Sequence, residues 1–199
     1  MSAISAAEVK ALRERTGAGM MDCKRALEEA NGDVERALEI LRVKGQAQAA
    51  KRSERATAEG TVECYLHFNR RVGVLVEVNC ETDFVARNEE LVRFAKDLAA
   101  HIAFANPRYL SVEEVPEEVL EAERRVLREQ AADRPEQVRE RIVEGRLEKW
   151  YEENVLLNQL HINQERYGKR TIEELRAELS AKTGENIVIR RFARFAIGE

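Results

Sequence analysis

Residues 61–80 read TVECYLHFNRRVGVLVEVNC, and their alternation restricts the fold more than any other stretch. Val62, Cys64, Leu66 and Phe68 alternate with Glu63, Tyr65 and His67, and Val72, Val74, Val76 and Val78 repeat the pattern beyond Asn69-Arg70-Arg71. A period of two marks extended strands whose successive side chains point to opposite faces. So short a gap joins them as an antiparallel hairpin. With both apolar sets read onto one face, that face requires cover, because a lone hairpin is marginal in water. The sequence supplies it: from Asn88, a candidate N-cap, Leu91, Phe94, Ala95, Leu98 and Ile102 trace a helical stripe that stops before Asn106-Pro107.

The rest of this region extends the pattern. Two charged helices are expected near 117–131 and 136–158, with Val119, Val126, Val138, Ile142 and Trp150 at apolar positions. A further helix opens at Thr171 and runs through Leu175 and Leu179, and NIVIRRFARFAI closes the chain as a third strand that must return to the hairpin. Residues 60–199 are therefore expected to form an α+β core and dimerisation domain, an antiparallel three-stranded sheet packed with helices.

Residues 1–45 read as a small three-helix unit. Ser5 with Glu8 is a capping box, Ile4 with Val9 a hydrophobic staple, and the first helix stops at Thr16-Gly17. Met20, Cys23, Leu27 and Ala30 form the stripe of a second helix. After NGD, Asp33 caps a third with Val34, Leu38 and Leu41 on one face. The segment ALEEANGDVERALEILR resembles a ubiquitin-associated domain. No large apolar side chain follows Val43 before residue 59, so 46–59 reads as a linker, either a basic arm for RNA or a solvated, partly helical tether. The lack of aromatic stacking residues favours the tether.

Composition narrows the function. A net charge of −4 and a pI near 5.7 give the whole chain no attraction for phosphate backbones or anionic lipid. Cys23, Cys64 and Cys80 lie in three separate segments without C-x-x-C spacing, so neither a disulfide framework nor a zinc site is indicated. Both Cys64 and Cys80 fall in the core phase of their strands and are expected to be buried and inert. No apolar run long enough to span a bilayer and no signal-like start are present, which points to the cytoplasm. Phosphate loops, H-E-x-x-H and G-x-S-x-G are missing, and His67 in the exposed phase of a strand, His101 on a helix and His161 in a late loop belong to no common motif. The expectation is a protein that is no enzyme, needs no cofactor or metal, and acts by binding.

Two long segments carry a family resemblance. LRERTGAGMMDCKRALEEANGDVERALEILR at 12–42 and VGVLVEVNCETDFVARNEEL at 72–91, supported by EGRLEKW and GENIVIRRF, resemble bacterial elongation factor Ts, the guanine-nucleotide exchange factor for elongation factor Tu. The match runs through nearly the whole chain, with one copy of the core, as in the family's short form. It implies that the chain binds Tu, GDP-bound and nucleotide-free, and works as a homodimer without contacting nucleic acid or membrane. Two departures stand out: Gln159-Leu160-His161-Ile162 replaces the family's Gln-Pro-Phe-Val, and Thr183 stands where an aliphatic residue is common.

The resemblance also assigns contacts. Thr82, Asp83, Phe84 and Val85 belong to the family's TDFV motif, whose Asp and Phe enter the nucleotide domain of Tu near its magnesium site. Without the resemblance, Phe84 reads equally as a plug tucking its own loop onto the core. Met20 and Met21 match paired methionines that touch Tu. Met20 shares the stripe of Leu27, whereas Met21 points about 100° away and is the better contact. His67 matches a family histidine near the magnesium side, or is an idle strand residue. Gly184 and Glu185 match a turn approaching Tu, or Gly184 is simply a helix C-cap. A ubiquitin-associated-type adaptor, with the core only a scaffold, is the rival reading; it leaves TDFVARN unexplained.

Overall fold

The computed structural model describes residues 4–199; residues 1–3 of the expected 1–45 unit lie outside the described residues. Helices α1 (Ala6–Thr16), α2 (Met20–Glu29) and α3 (Val34–Arg52) come first, followed by strands β1 (Glu59–Leu66) and β2 (Val72–Cys80). Then come α4 (Asp83–Ala86), α5 (Glu89–Ala105), α6 (Glu117–Gln130), α7 (Glu136–Asn154), α8 (Gln164–Tyr167), α9 (Ile172–Thr183) and β3 (Val188–Ala196). The fold is α+β, with an antiparallel sheet in the order β1-β2-β3.

The N-terminal helices begin and end where their caps dictate. Ser5 Oγ accepts from the Glu8 N–H at 3.3 Å while the Glu8 carboxylate accepts from the Ser5 N–H at 2.7 Å, completing the capping box. Gly17 ends α1 in the left-handed conformation (φ 69°), which favours glycine; a Cβ there would also meet Lys182 Cε at 2.8 Å, a contact the flexible lysine side chain would have to yield. Val9, Leu12, Cys23, Ala26 and Leu27 make the core between the three helices. Met20 shares their stripe yet is 44% exposed.

Helix α3 runs on to Arg52, into the segment read as linker, and Ala49 is fully buried there. Small residues explain why no large apolar side chain marks this packing. A Cβ added at Gly45 would lie 3.6 Å from Ala181 Cβ of α9, an ordinary contact that brings the helices close.

The sheet departs from the sequence reading in its register. The His67 N–H donates to Val72 O at 2.9 Å, so the even-numbered residues of β1 lie opposite the odd-numbered residues of β2. The two apolar sets consequently lie on opposite faces. Val74, Val76, Val78 and Cys80 are buried, as expected, but Val62, Cys64, Leu66 and Phe68 are exposed. Cys64 is thus not a core residue. His67 is half-buried instead of exposed: Tyr65 and His67 lie on the inner face, each within ring contact of Phe104 on α5. Arg71 O accepts from the Ile197 N–H, and Glu77 pairs with Arg191 at 2.6 Å, which places Phe195 and Ile197 on the outer face beside Leu75.

The chain divides into two compact units. The first comprises residues 4–61 of the described chain with 78–93 and 174–190; the second comprises 62–77, 94–173 and 191–199. In the second, α6 and α7 pack through Leu120, Leu127, Val143 and Leu147, while Val126 and Val138 are exposed. Val119 and Trp150 pack against this core as expected, while Leu127 and Val143 enter it in place of their neighbours Val126 and Ile142. Among the described residues no helix is long and apolar enough to cross a membrane.

Candidate functional site

Strand β2 ends at Cys80, and Thr82 turns the chain into α4, a single helical turn. Thr82 Oγ1 accepts from the Val85 N–H at 3.3 Å, the N-cap interaction expected of threonine in extended backbone. Val85 is buried and pins the turn, so its neighbour Phe84 points the other way and is 80% exposed. That exposure removes the plug reading of Phe84. Asp83 also faces solvent, paired with Arg87 at 3.1 Å.

A polar clasp holds this turn. Glu185 Oε2 accepts from the N–H groups of Glu81 (2.9 Å) and Thr82 (3.1 Å), and Glu185 Oε1 accepts from Thr82 Oγ1 at 2.6 Å. Glu81 reciprocates: its carboxylate accepts from the Asn186 N–H at 2.6 Å and from Arg55 at 3.3 Å. The Asn186 N–H holds the Glu81 carboxyl below the usual carboxylate range. The Asn186 amide in turn donates to Ser53 O and Arg55 O, and Ser180 Oγ donates to Glu185 O at 2.6 Å. Gly184 precedes Glu185 at φ 75°, just past the end of α9, which makes it the helix-ending glycine.

The nearby Cys80 thiol is buried and donates to Thr82 O at 3.2 Å. Burial, reinforced by the Glu185 carboxylate, pushes it up to about 11, so it has no thiolate character near neutral pH.

Thr82 and Glu185 are therefore in direct contact, with Asp83, Phe84, Val85 and Gly184 beside them. Met20 and Met21 open α2, and Met21 is 62% exposed; the preceding Gly17 turn rests on Lys182, three residues before Glu185. His67 belongs to the second unit, where its Nδ1 lies 2.9 Å from Tyr65 Oη and its ring packs against Phe68 and Phe104. Among the described residues no group of three or more His, Cys, Asp or Glu is arranged to hold a metal ion.

One polar cluster has no counterpart in the sequence reading. His101 and His161, unrelated by any motif, stack with ring centroids 5.3 Å apart inside the second unit. His101 Nδ1 accepts from the Ile162 N–H, so its other nitrogen carries the proton and donates to Gln159 Oε1 at 2.9 Å. Burial pulls His101 down to about 4 and also lowers His161. Of the departing residues at 160–162 only His161 packs inward, beside the shared Gln159; Leu160 and Ile162 are exposed.

Comparison with known proteins agrees with this architecture. The family described as Elongation factor TS matches residues 6–167. Proteins named elongation factor Ts are similar along nearly all of the chain. That of Caldanaerobacter subterraneus subsp. tengcongensis is 60% identical, covering 98% of each chain. That of Thermosipho melanesiensis is 52% identical, covering 98% of this chain and all of its own. With two thirds or more of both partners aligned at such identity, the chain belongs to the elongation factor Ts family.

Proposed function

We propose that this translation elongation factor is a guanine-nucleotide exchange factor: it binds elongation factor Tu, disturbs its phosphate and magnesium site, and so promotes GDP release in the cytoplasm. It forms and breaks no covalent bond in doing so. The observation that carries the reading is Phe84, an aromatic ring held 80% exposed on a turn that is anchored on both sides. A ring presented to solvent on a rigid base loses little conformational freedom on docking, the property of an interface anchor.

The driving logic is linkage. A factor that binds the nucleotide-free form of Tu more tightly than the GDP form must weaken GDP by the same factor that GDP weakens it. Each factor of ten in nucleotide affinity requires about 1.4 kcal/mol of differential contact. Phe84 and Asp83 would supply contacts made only in the disturbed state, with Met21 and His67 adding to the interface. The decisive experiment is the release rate of a fluorescent GDP analogue from Tu. Strong acceleration by the native protein, lost in a folded Asp83→Ala, Phe84→Ala double variant, supports the reading; no acceleration returns the adaptor alternative.

The working form in this reading is a homodimer, as the family's short form implies. The outer sheet face supports it. Val62, Leu66, Leu75, Phe195 and Ile197 are all exposed there, a contiguous apolar surface of the kind that association covers. Leu75→Lys should convert the sedimenting species from dimer to monomer. A native protein that sediments as a monomer would end the dimer reading.

A further inference from the structure

We infer that Glu185 is a positioning residue for Phe84: its carboxylate fixes the Glu81–Val85 turn in the conformation that presents the ring, and it does not itself meet the partner. The inference deepens the exchange reading and rests on it. Three donors converge on this carboxylate, the Glu81 N–H, the Thr82 N–H and the Thr82 hydroxyl, all within 3.1 Å. Hydrogen bonds to a carboxylate are about twice as strong as neutral ones. With three of its about four acceptor sites engaged, Glu185 has little left to offer a cation or N–H from another protein.

The turn needs such a support. A single turn of helix does not persist by its own hydrogen bonds. Phe84 contributes no burial, so Val85 is the only side chain of α4 that is buried. The other side of the clasp is rigid: Asn186 is buried, its side-chain amide is tied to Ser53 O and Arg55 O, and Ser180 holds the Glu185 carbonyl. Glu185 therefore joins a fixed turn to a loop that would otherwise be free to re-aim its ring. Thr82 is the intermediary, since the same hydroxyl that donates to Glu185 accepts the α4 cap.

The test is a double-mutant cycle on GDP-analogue release from Tu, combined with amide hydrogen exchange on the free protein. Glu185→Ala should slow exchange about tenfold, the scale of one lost charge-assisted hydrogen bond. In the Phe84→Ala background the same change should cost less than about twofold, because a residue acting through Phe84 has nothing left to position. Glu185→Gln, which keeps a carbonyl acceptor for the two N–H groups, should restore most of the activity. In the absence of Tu, the amides of Glu81, Thr82 and Val85 should exchange faster in Glu185→Ala while those of β2 stay protected. Additive losses in the cycle would overturn the inference in favour of a direct contact, and so would unchanged protection of the three amides. If the native protein fails to accelerate GDP release at all, the exchange reading falls, and the amide measurement alone decides whether Glu185 holds the turn.

Discussion

The clasp around Glu185 and the histidine pair at positions 101 and 161 are both polar clusters built from residues distant in sequence, and they solve the problem of burial in opposite ways. At the clasp, carboxylates meet backbone N–H groups at the edge of solvent; Glu81 gains from being charged, and the Asn186 N–H lowers its proton affinity. Around His101 the surroundings are closed, and burial drives both imidazoles toward the neutral form. His161 sits against Tyr167, with the Asp97–Arg166 ion pair nearby. Charge is used where water can share its solvation and avoided where water cannot. The first cluster can hold an exposed ring for recognition; the second only secures the interior.

Acidification should separate the two most clearly. A histidine whose folded value is lowered from 6.5 to about 4 contributes stability that is fully present above about pH 6.5 and lost as pH falls toward 4. For His101 alone, unfolding at pH 4.5 should require about 2–3 kcal/mol less than at pH 7, and His101→Asn should flatten that dependence in urea titrations. Glu81 acts in the reverse sense and lower: its contribution holds above the ordinary carboxylate range and fades only below about pH 4.5. Between those limits the histidines should destabilise the second unit while the amides of Glu81 and Thr82 keep their protection. Simultaneous loss of both would break the contrast.

A smaller effect is expected at the cap. Thr82→Val removes the N-cap and the donor to Glu185 at once, and should lower stability by about 1 kcal/mol in thermal or denaturant unfolding. Its effect on exchange should be far larger than that figure suggests, since the turn would lose its aim. Smallest of all is Phe84→Ala. With the ring 80% exposed, unfolding should shift by less than about 0.5 kcal/mol while GDP release loses most of its acceleration. A large destabilisation would mean that the ring serves its own fold.

Periodicity located both strands of the hairpin and the helix that follows, but it could not set their register. The apolar residues that set the period in β1 and β2, Val62 to Phe68 and Val72 to Val78, are even-numbered, Leu75 apart, and only the geometry of the connecting loop, closing at His67 and Val72, decides that the two sets face apart. The error was concealed by a second apolar surface: a sheet with a polar outer face would have exposed the mismatch at once. The packing of α3 past residue 46 was hidden for a different reason, since Gly45 and Ala49 pack by their smallness. Thr82 and Phe84 were legible as a motif and as an aromatic in polar surroundings. The role of Glu185 was not, because the atoms it binds lie 103 and 104 residues earlier in the chain. The same holds for His101 and Gln159, 58 residues apart.

That separation has a bearing on synthesis. Contacts distant along the chain form late, after the entropy of closing the intervening loop has been overcome. As translation proceeds from the N-terminus, Phe84 leaves the ribosome about a hundred residues before the carboxylate that steadies its turn. A nascent chain carrying the complete TDFV motif would thus lack the means to hold it in place, and competence would arrive only when α9 and the turn after it have emerged and docked.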